Sequence, residues 1–592
     1  MPSAYFAAAC LLLGVLVVLG LQPVLDRGRS PVRSRLSPAW LFLVSATAAI
    51  FAWRWPAISV REQFNVDESL MLATAHLASV RPVPWRDFDA MTMGPVDIWP
   101  LTAMHALGFG YTWWTARILA AAVACAAVVV FYFAVRRLFG EAAARLSATF
   151  AAIFFMASST YMNFAHYSSE TIPVLLIVIF GFAIAGLVKT PGRQALVFCA
   201  LAGAAAACAP FAKVQSLPID AALTLVTLAA LAFGSGTARE KAIRFAVFAA
   251  AGLLVLSAIL APVILAGGWN DFAISYVREP LWYIRQGVAI PPITRGPIDL
   301  FAMFPVRCLL LSVGVLVAAL LAVYLLQRRS SGKASREGEY AALAIALTAA
   351  MSFYAALAPD EPFPHHLLLV VFPWCALAGA VYALAAAGGF RGFSRGAAIV
   401  ATVAFAVSGA YYAIVGGPVL AYLGLHEWTT GTIRIGSTPW NPREVAVLRE
   451  VPRGSSIAIW GWEPGVFVVT GALPGTREAA SQFQMWPGPY REYYIDRYVA
   501  DLKSNRPEFF LNAVGPLENG LWTPPQEYQL RNAPAVADYV AKYYRLVARE
   551  GNLKLYRLTT SYESGVHNRP ANLSSVTTVG ALGGLSGPNS GV

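Results

Sequence analysis

Apolar runs of about 18 residues or more recur along this 592-residue chain, and no other feature limits its fold so strongly. Such a run crosses the hydrocarbon of a bilayer as a helix, because every backbone N–H and C=O must find its partner within the segment. About twelve spans are expected, centred on 5–25, 38–57, 113–135, 144–161, 170–187, 194–210, 214–233, 243–266, 303–326, 339–357, 365–387 and 396–416. With 57% hydrophobic and only 13% charged residues, a soluble globular chain is excluded. The fold class is a polytopic α-helical membrane protein.

The loops between spans set its orientation. Arg136, Arg137 and Arg145, then Lys189 and Arg193, then Arg239, Lys241 and Arg244, then Arg328, Arg329, Lys333 and Arg336, then Arg391 and Arg395 fall in alternate loops. With the basic stretch 26–36 they share one side, which the positive-inside rule makes the cytoplasm of a plasma (inner) membrane. Much of the formal charge of +12 is thereby explained by topology, and nucleic acid is not a partner. The first run has no basic residue before it, so it reads as an uncleaved span with its N-terminus outside. All six cysteines lie in apolar runs without CxxC spacing, which gives no disulfide framework or zinc site.

The outer side receives the long loop 58–112, with surface helices expected at 67–80 and 96–108; the alternative, a span at 96–110, would break the charge alternation. From about 420 the pattern changes. Ser456–Trp460 and Val466–Thr470 read as strands separated by glycines, and helices are expected near 490–504 and 534–548. The organisation expected is an N-terminal span and cytoplasmic loop (1–37), a transmembrane core (38–418), an external, periplasmic α/β domain (419–562) and a disordered Ser/Gly/Thr/Asn-rich tail (563–592).

Against this apolar background the outward-facing charges are few. Asp67 and Glu68 follow a span directly, in Phe64-Asn-Val-Asp67-Glu68. One of them can serve as a general base toward a hydroxyl that attacks a sugar's anomeric carbon. Equally, the pair suits a helix N-terminus, where the dipole favours acids. Glu170, in His166-Tyr-Ser-Ser-Glu170, stands at the outward end of a span and needs a partner or an aqueous cavity. Lys213, in a break between two apolar runs, suits either a phosphate or a snorkelling role. The loop 267–302 interleaves aromatics with basic residues (Tyr276, Arg278, Arg285), as a lipid phosphate head group or an aromatic belt requires. Arg81 and Arg86 are further candidates for a phosphate. His365 and His366 open the eleventh span and can bond a sugar or phosphate; a metal site is disfavoured because adjacent helical residues point apart. No P-loop, HExxH or glycine-rich dinucleotide turn occurs, so ATP-driven transport has no support.

In their order and sidedness these segments resemble the GT-C integral-membrane glycosyltransferases. The likeness is to the bacterial relatives of protein O-mannosyltransferases and lipid A aminoarabinose transferases. Asn65-Val-Asp67-Glu68 resembles the acidic pair of the first external loop, and Met93-Gly94-Pro95 the approach to its second surface helix. His166 to Glu170 resembles the second acidic position, where many members carry Asp. Pro364-His365-His366 resembles a late span that begins Pro-His-Tyr, and Ile459-Trp460-Gly461 with Thr470 to Arg477 resembles the start of the external domain.

The resemblance implies a polyprenyl-phosphate sugar donor, a glycan, lipid or protein acceptor, and inversion at the anomeric carbon by single displacement. Asp67 would be the base, with Glu68 and Glu170 shaping the site. Lys213, Arg278, Arg285, Arg81 and Arg86 would be the phosphate candidates, and Tyr276, His365 and His366 would contact substrate. The span 5–25 would precede the usual core. No cofactor is required, and a divalent cation among the acids is possible. The alternatives are a lipid-linked glycan transporter or flippase, which would favour charges in mid-span and internal repeats, and a non-catalytic glycan-binding scaffold.

Overall fold

The structure, a computed structural model, describes residues 2–26, 38–160, 162–282, 304–331, 336–359, 363–387, 390–416, 446–514, 528–551 and 553–559. Arg285, the Asp360–Glu361 loop and the tail beyond 560 lie outside the described residues. The chain opens with α1 (Pro2–Leu25) and α2 (Ala39–Ser59), followed by the loop helices α3 (Val66–Val80) and α4 (Pro95–Ala106). Then come α5 (Trp113–Phe139), α6 (Glu141–Ala157), the short α7 (Met162–Ala165), α8 (Thr171–Lys189), α9 (Ala195–Cys208), α10 (Leu217–Phe233), α11 (Ala238–Leu265) and the short α12 (Trp269–Phe272). The bundle is completed by α13 (Phe304–Ser331), α14 (Arg336–Leu357), α15 (Leu368–Ala387) and α16 (Arg391–Tyr411).

Eleven of these helices are long and apolar enough to cross a bilayer. The twelfth span expected corresponds to α6, which is only 17 residues long and buried nearly throughout. It packs against α1, α2, α5, α15 and α16, so it is the axis of the bundle. This position corrects one reading of the loop charges. Arg145 is no loop residue: it lies in α6, buried, with Nε 2.6 Å from Glu141 and Nη1 donating to Leu19 O at 3.0 Å. The N-terminal helix is also part of the bundle, tied by Trp53 Nε1 to Ala9 O (2.9 Å) and by Arg395 Nε to Val24 O (2.9 Å).

The C-terminal domain is built on five strands: β1 (Ser456–Trp460), β2 (Leu473–Pro474), β3 (Phe509–Asn512), β4 (Tyr544–Glu550) and β5 (Leu553–Leu558). Their order is β2-β1-β3-β5-β4, with β1 parallel to β2 and β3, and β5 antiparallel to β3 and β4. Between them lie α17 (Gly465–Thr470), α18 (Gln482–Met485), α19 (Arg491–Asn505) and α20 (Pro534–Tyr543). Two expectations change here. Val466–Thr470 is helical rather than a strand, as one short apolar run fits either state. The second helix stops at Tyr543, and the chain enters β4 where a helix to 548 was expected.

The sheet is sandwiched, and strand alternation assigns its faces. Ala458, Trp460 and Phe510 face Tyr498 and Leu502 of α19 and Val536 of α20. Ile457, Ile459, Phe509 and Leu511 share a core with Leu70 and Leu77 of α3, Ile98 and Leu101 of α4, and Trp113 at the start of α5. The domain therefore sits on the helices of the first long loop, at one end of the bundle.

Candidate active site

Asp67 and Glu68 are placed by the start of α3. Asn65 caps that helix, its Oδ1 accepting from Asp67 N at 2.9 Å, and its amide reaches Asn163 Oδ1 at 3.0 Å. Successive helical residues diverge by about 100°, and the two carboxylates separate accordingly. Glu68 is fully buried against Arg117, which donates from Nε to Oε1 (3.1 Å) and from Nη2 to Oε2 (2.8 Å). Tyr167 N also donates to Glu68 Oε1, at 3.3 Å. Arg117 reaches Glu62 O (2.6 Å) as well and lies over the Phe64 ring, 3.6 Å from its centroid. Glu68 thus binds α3 to α5 and has no free face for substrate. A direct catalytic part for Glu68 does not fit its geometry, because both oxygens are committed to one guanidinium.

Asp67 faces the other way, toward side chains that arrive from three distant stretches. His365 Nε2 lies 3.7 Å from Asp67 Oδ2 and 4.0 Å from Glu170 Oε2, and His366 Nε2 is 3.9 Å from Glu170 Oε1. Lys213 Nζ donates to Ser169 Oγ at 2.6 Å and to Glu170 Oε1. Glu170 is fully buried directly before α8, and its Oε2 has no hydrogen-bond partner. Lys213 sits in the interrupted turn between α9 and α10, where Pro210 and Pro218 prevent one continuous helix. Its backbone forms an antiparallel bridge with Met93.

The electrostatics distinguish the acids. Burial pushes the Glu170 carboxyl up, but Lys213, followed by His365 and His366, outweighs burial and holds it well below the ordinary glutamate range. Glu170 is thus a fixed negative charge. The Asp67 side chain remains 23% exposed yet set among desolvating protein. Burial raises its carboxyl, against the pull of His365 and then Lys213, and Glu170 raises it further. A carboxylate lifted toward neutrality and partly open is suited to accept a proton.

The other sequence candidates divide. His365 and His366 join the cluster, although adjacency argued against it. They lie in the 3-10 turn Pro364–Leu367 with rings at 85°, and Glu170 is within reach of both. Glu170, His365 and His366 each offer one ligand atom within 4.8 Å of the others, so they can hold a divalent cation. Lys213 already supplies positive charge to Glu170 Oε1, whereas Oε2 has no hydrogen-bond partner. Tyr276 is buried, donating to Pro210 O at 2.8 Å and packed with Trp85, so it braces the Lys213 turn rather than facing the acids. Arg86 and Arg278 are exposed, and Arg86 pairs with Asp87. Arg81 closes α3 as its C-cap. None of these three arginines touches the Asp67–Glu170–Lys213 group among the described contacts.

Two residues of the site went unread in the sequence. Arg117 could have been found as an arginine inside an apolar span, which needs a partner. Asp97, in the first turn of α4, is fully buried; Tyr167 OH donates to its backbone O at 2.8 Å, and Asp97 Oδ2 has no partner. Burial, then Glu170, raises its carboxyl well above the usual range, with Lys213 opposing. Asp97 is therefore a buried acid beside the Glu170–Lys213 pair whose charge burial disfavours.

No protein-family model and no curated protein matches the sequence. Solved structures do match. ArnT from Cupriavidus metallidurans bound to undecaprenyl phosphate aligns over 88% of this chain and 98% of its own, with 14% identity and a TM-score of 0.51. The fold is the GT-C fold. The apo state of the same protein gives a TM-score of 0.48 at 15% identity, over 88% of this chain and 99% of that one. The Archaeoglobus fulgidus oligosaccharyltransferase in its apo form gives 0.43 at 14% identity, over 91% and 76%. In this GT-C chain the cluster lies where the start of α3, the start of α8, the turn between α9 and α10 and the turn Pro364–Leu367 meet.

Proposed function

We propose that the protein is a glycosyltransferase that moves a sugar from a polyprenyl-phosphate donor to an acceptor hydroxyl at the outer face of the plasma (inner) membrane, with its C-terminal domain external. The observation that carries this reading is the opposition of a partly open carboxylate, Asp67, to the cationic side chain of Lys213, with Glu170 and His365 between them. Transfer needs a base at the hydroxyl and a positive charge at the departing phosphate, and this cluster supplies both on a GT-C fold. That ArnT was crystallised with undecaprenyl phosphate supports a lipid phosphate as the leaving group.

In this reading Asp67 takes the proton from the acceptor hydroxyl as its oxygen attacks the anomeric carbon. The sugar–phosphate bond breaks on the opposite face, so the configuration inverts. Lys213 has two of its three donors engaged among the described contacts and turns the third to the phosphate. Glu170 keeps Lys213 charged and in place, and His365 orients Asp67. Where a divalent cation binds, Glu170, His365 and His366 would hold it, and it would supply further positive charge to the phosphate.

The test is transfer from polyprenyl-phosphate sugars by the purified chain in lipid nanodiscs, alongside envelope glycan analysis of a deletion strain. Asp67→Asn should lower kcat by about 10²–10⁴-fold, the usual contribution of a general base, while undecaprenyl phosphate binding persists. Full activity in that variant would remove Asp67 from the mechanism. A deletion strain that accumulates no unused polyprenyl-phosphate sugar would count against the reaction itself.

A further inference from the structure

Beside the apolar core it shares with the first long loop, the C-terminal domain holds that loop through one buried guanidinium. Arg497 of α19 is buried, and its Nη2 donates to Asp89 Oδ2 at 2.7 Å and to Glu478 Oε1. Its Nη1 donates to Ser275 Oγ at 3.0 Å and lies 3.8 Å from Asp271 Oδ1. One side chain thus joins three stretches: the segment between α3 and α4, the domain's own Glu478, and the turn after α12.

Asp89 transmits this grip inward. It is buried, its N–H donates to Arg477 O at 2.8 Å, and its Oδ1 accepts from Met91 N at 2.9 Å. That turn leaves Met91 with φ +62, and the chain then runs beside the Lys213 turn. Met93 pairs with Lys213, and Gly94 N donates to Ala212 O at 2.8 Å. From this backbone Lys213 extends to Ser169 and Glu170. A continuous set of bonds therefore runs from Arg497 to the Lys213–Glu170 pair.

We propose that Arg497 is a positioning residue of the transfer site: through Asp89 it holds segment 89–94, which holds Lys213 against Glu170. The role in transfer rests on the function proposed above, whereas the mechanical linkage does not. Removing Arg497 strands Asp89 as an uncompensated buried carboxylate, which drives that segment toward water. Lys213 then loses its backbone neighbour, and the ammonium becomes accessible.

The experiment measures acylation of Lys213 by a small amine-reactive reagent, read by mass spectrometry on the full chain in nanodiscs without substrate. In Arg497→Gln, labelling of Lys213 should rise on the order of tenfold as local protection is lost. The exposed Lys189 and Lys503 should label as in the wild type, and Arg497→Lys should restore part of the protection. Unchanged Lys213 labelling in a variant that elutes as the folded wild type overturns the proposal. If Arg497→Gln does not fold, Asp89→Asn tests the same tie while sparing the Arg497–Glu478 contact. A rise at Lys213 is again expected, and its absence is again fatal. Because labelling needs no donor, a wild-type protein that transfers no sugar defeats the functional reading and leaves this measurement intact. Where transfer is measured, Arg497→Lys should recover activity in parallel with protection.

Discussion

At the scale of the residue, Asp67 and Glu68 show how one step along a helix separates a carboxylate locked in a buried ion pair from one that is partly open. Their adjacency in sequence gives them equal claims, and only the position of Arg117 separates them. Glu68 has its two oxygens on a buried guanidinium, whereas Asp67 faces a histidine and a partly open space. The two therefore differ in what their loss costs. Arg117→Met leaves the Glu68 charge buried without compensation, which costs about 3–5 kcal/mol and should lower the thermal unfolding midpoint markedly. Asp67→Asn removes no buried ion pair and should change stability by less than about 1 kcal/mol, despite its effect on transfer. Thermal unfolding of both variants in the same detergent checks this; equal losses would mean that the roles have been misassigned. What the sequence could disclose was the sidedness of Asp67, Glu170 and Lys213, because that follows from loop charge. It could not disclose that Glu170 lies within reach of both histidines, because a 3-10 turn rather than an α-helix presents them.

At the scale of the element, the site depends on a close passage between two backbones. Gly94 runs so near the Lys213 turn that a Cβ there would lie 1.8 Å from Phe211 O, in contact with main chain that cannot rotate away. Gly94→Ala must therefore push the two segments apart, at a cost of about 1–3 kcal/mol for overpacking. The Met93–Lys213 bridge is the contact first affected. Under the proposed function transfer should fall by at least about tenfold, since a lysine displaced by a fraction of an ångström would serve a phosphate poorly. Gly181→Ala, where the added methyl meets nothing within 4 Å, should leave transfer and stability unchanged. Parallel assays of the two variants decide this; comparable activity would show that the passage tolerates separation. The spans were legible because bilayer thickness fixes their length. The Gly94 passage was not, because a tight approach of chain segments 118 positions apart leaves no local pattern beyond a Gly-Pro step. The short α17 was misread for a related reason: an apolar run of a few residues lacks the length that separates helix from strand.

At the scale of the whole molecule, the C-terminal domain and the first loop are joined by a buried cluster with more acids than guanidinium groups. Asp89, Asp271, Glu478 and Asp501 surround Arg477 and Arg497. The imbalance falls on Glu478. Burial pushes its carboxyl up to about 7, with Arg497 pulling it down, Asp89 and Asp501 pushing it up, and Arg477 opposing them. In the unfolded chain a glutamate titrates near its ordinary value of about 4.3. The folded state therefore holds a proton that the unfolded state has released between these limits. The resulting stability is fully present below the unfolded value and is lost as pH rises through about 7. The unfolding midpoint of the wild type should thus fall between pH 5 and 8 more steeply than that of Glu478→Gln, which keeps a neutral side chain throughout. Glu279, which burial also pushes up to about 7, contributes to both curves and cancels in their difference. Thermal unfolding across this pH range supplies the measurement, and parallel curves would show that Glu478 keeps its charge when folded. If the difference appears, acidic conditions tighten the same cluster that leads through Asp89 to Lys213. Labelling of Lys213 relative to the exposed Lys503, compared between wild type and Glu478→Gln at each pH, should then show greater protection at pH 5.5 than at pH 8 in the wild type alone, because the pH dependence of the labelling reaction itself cancels between the two proteins.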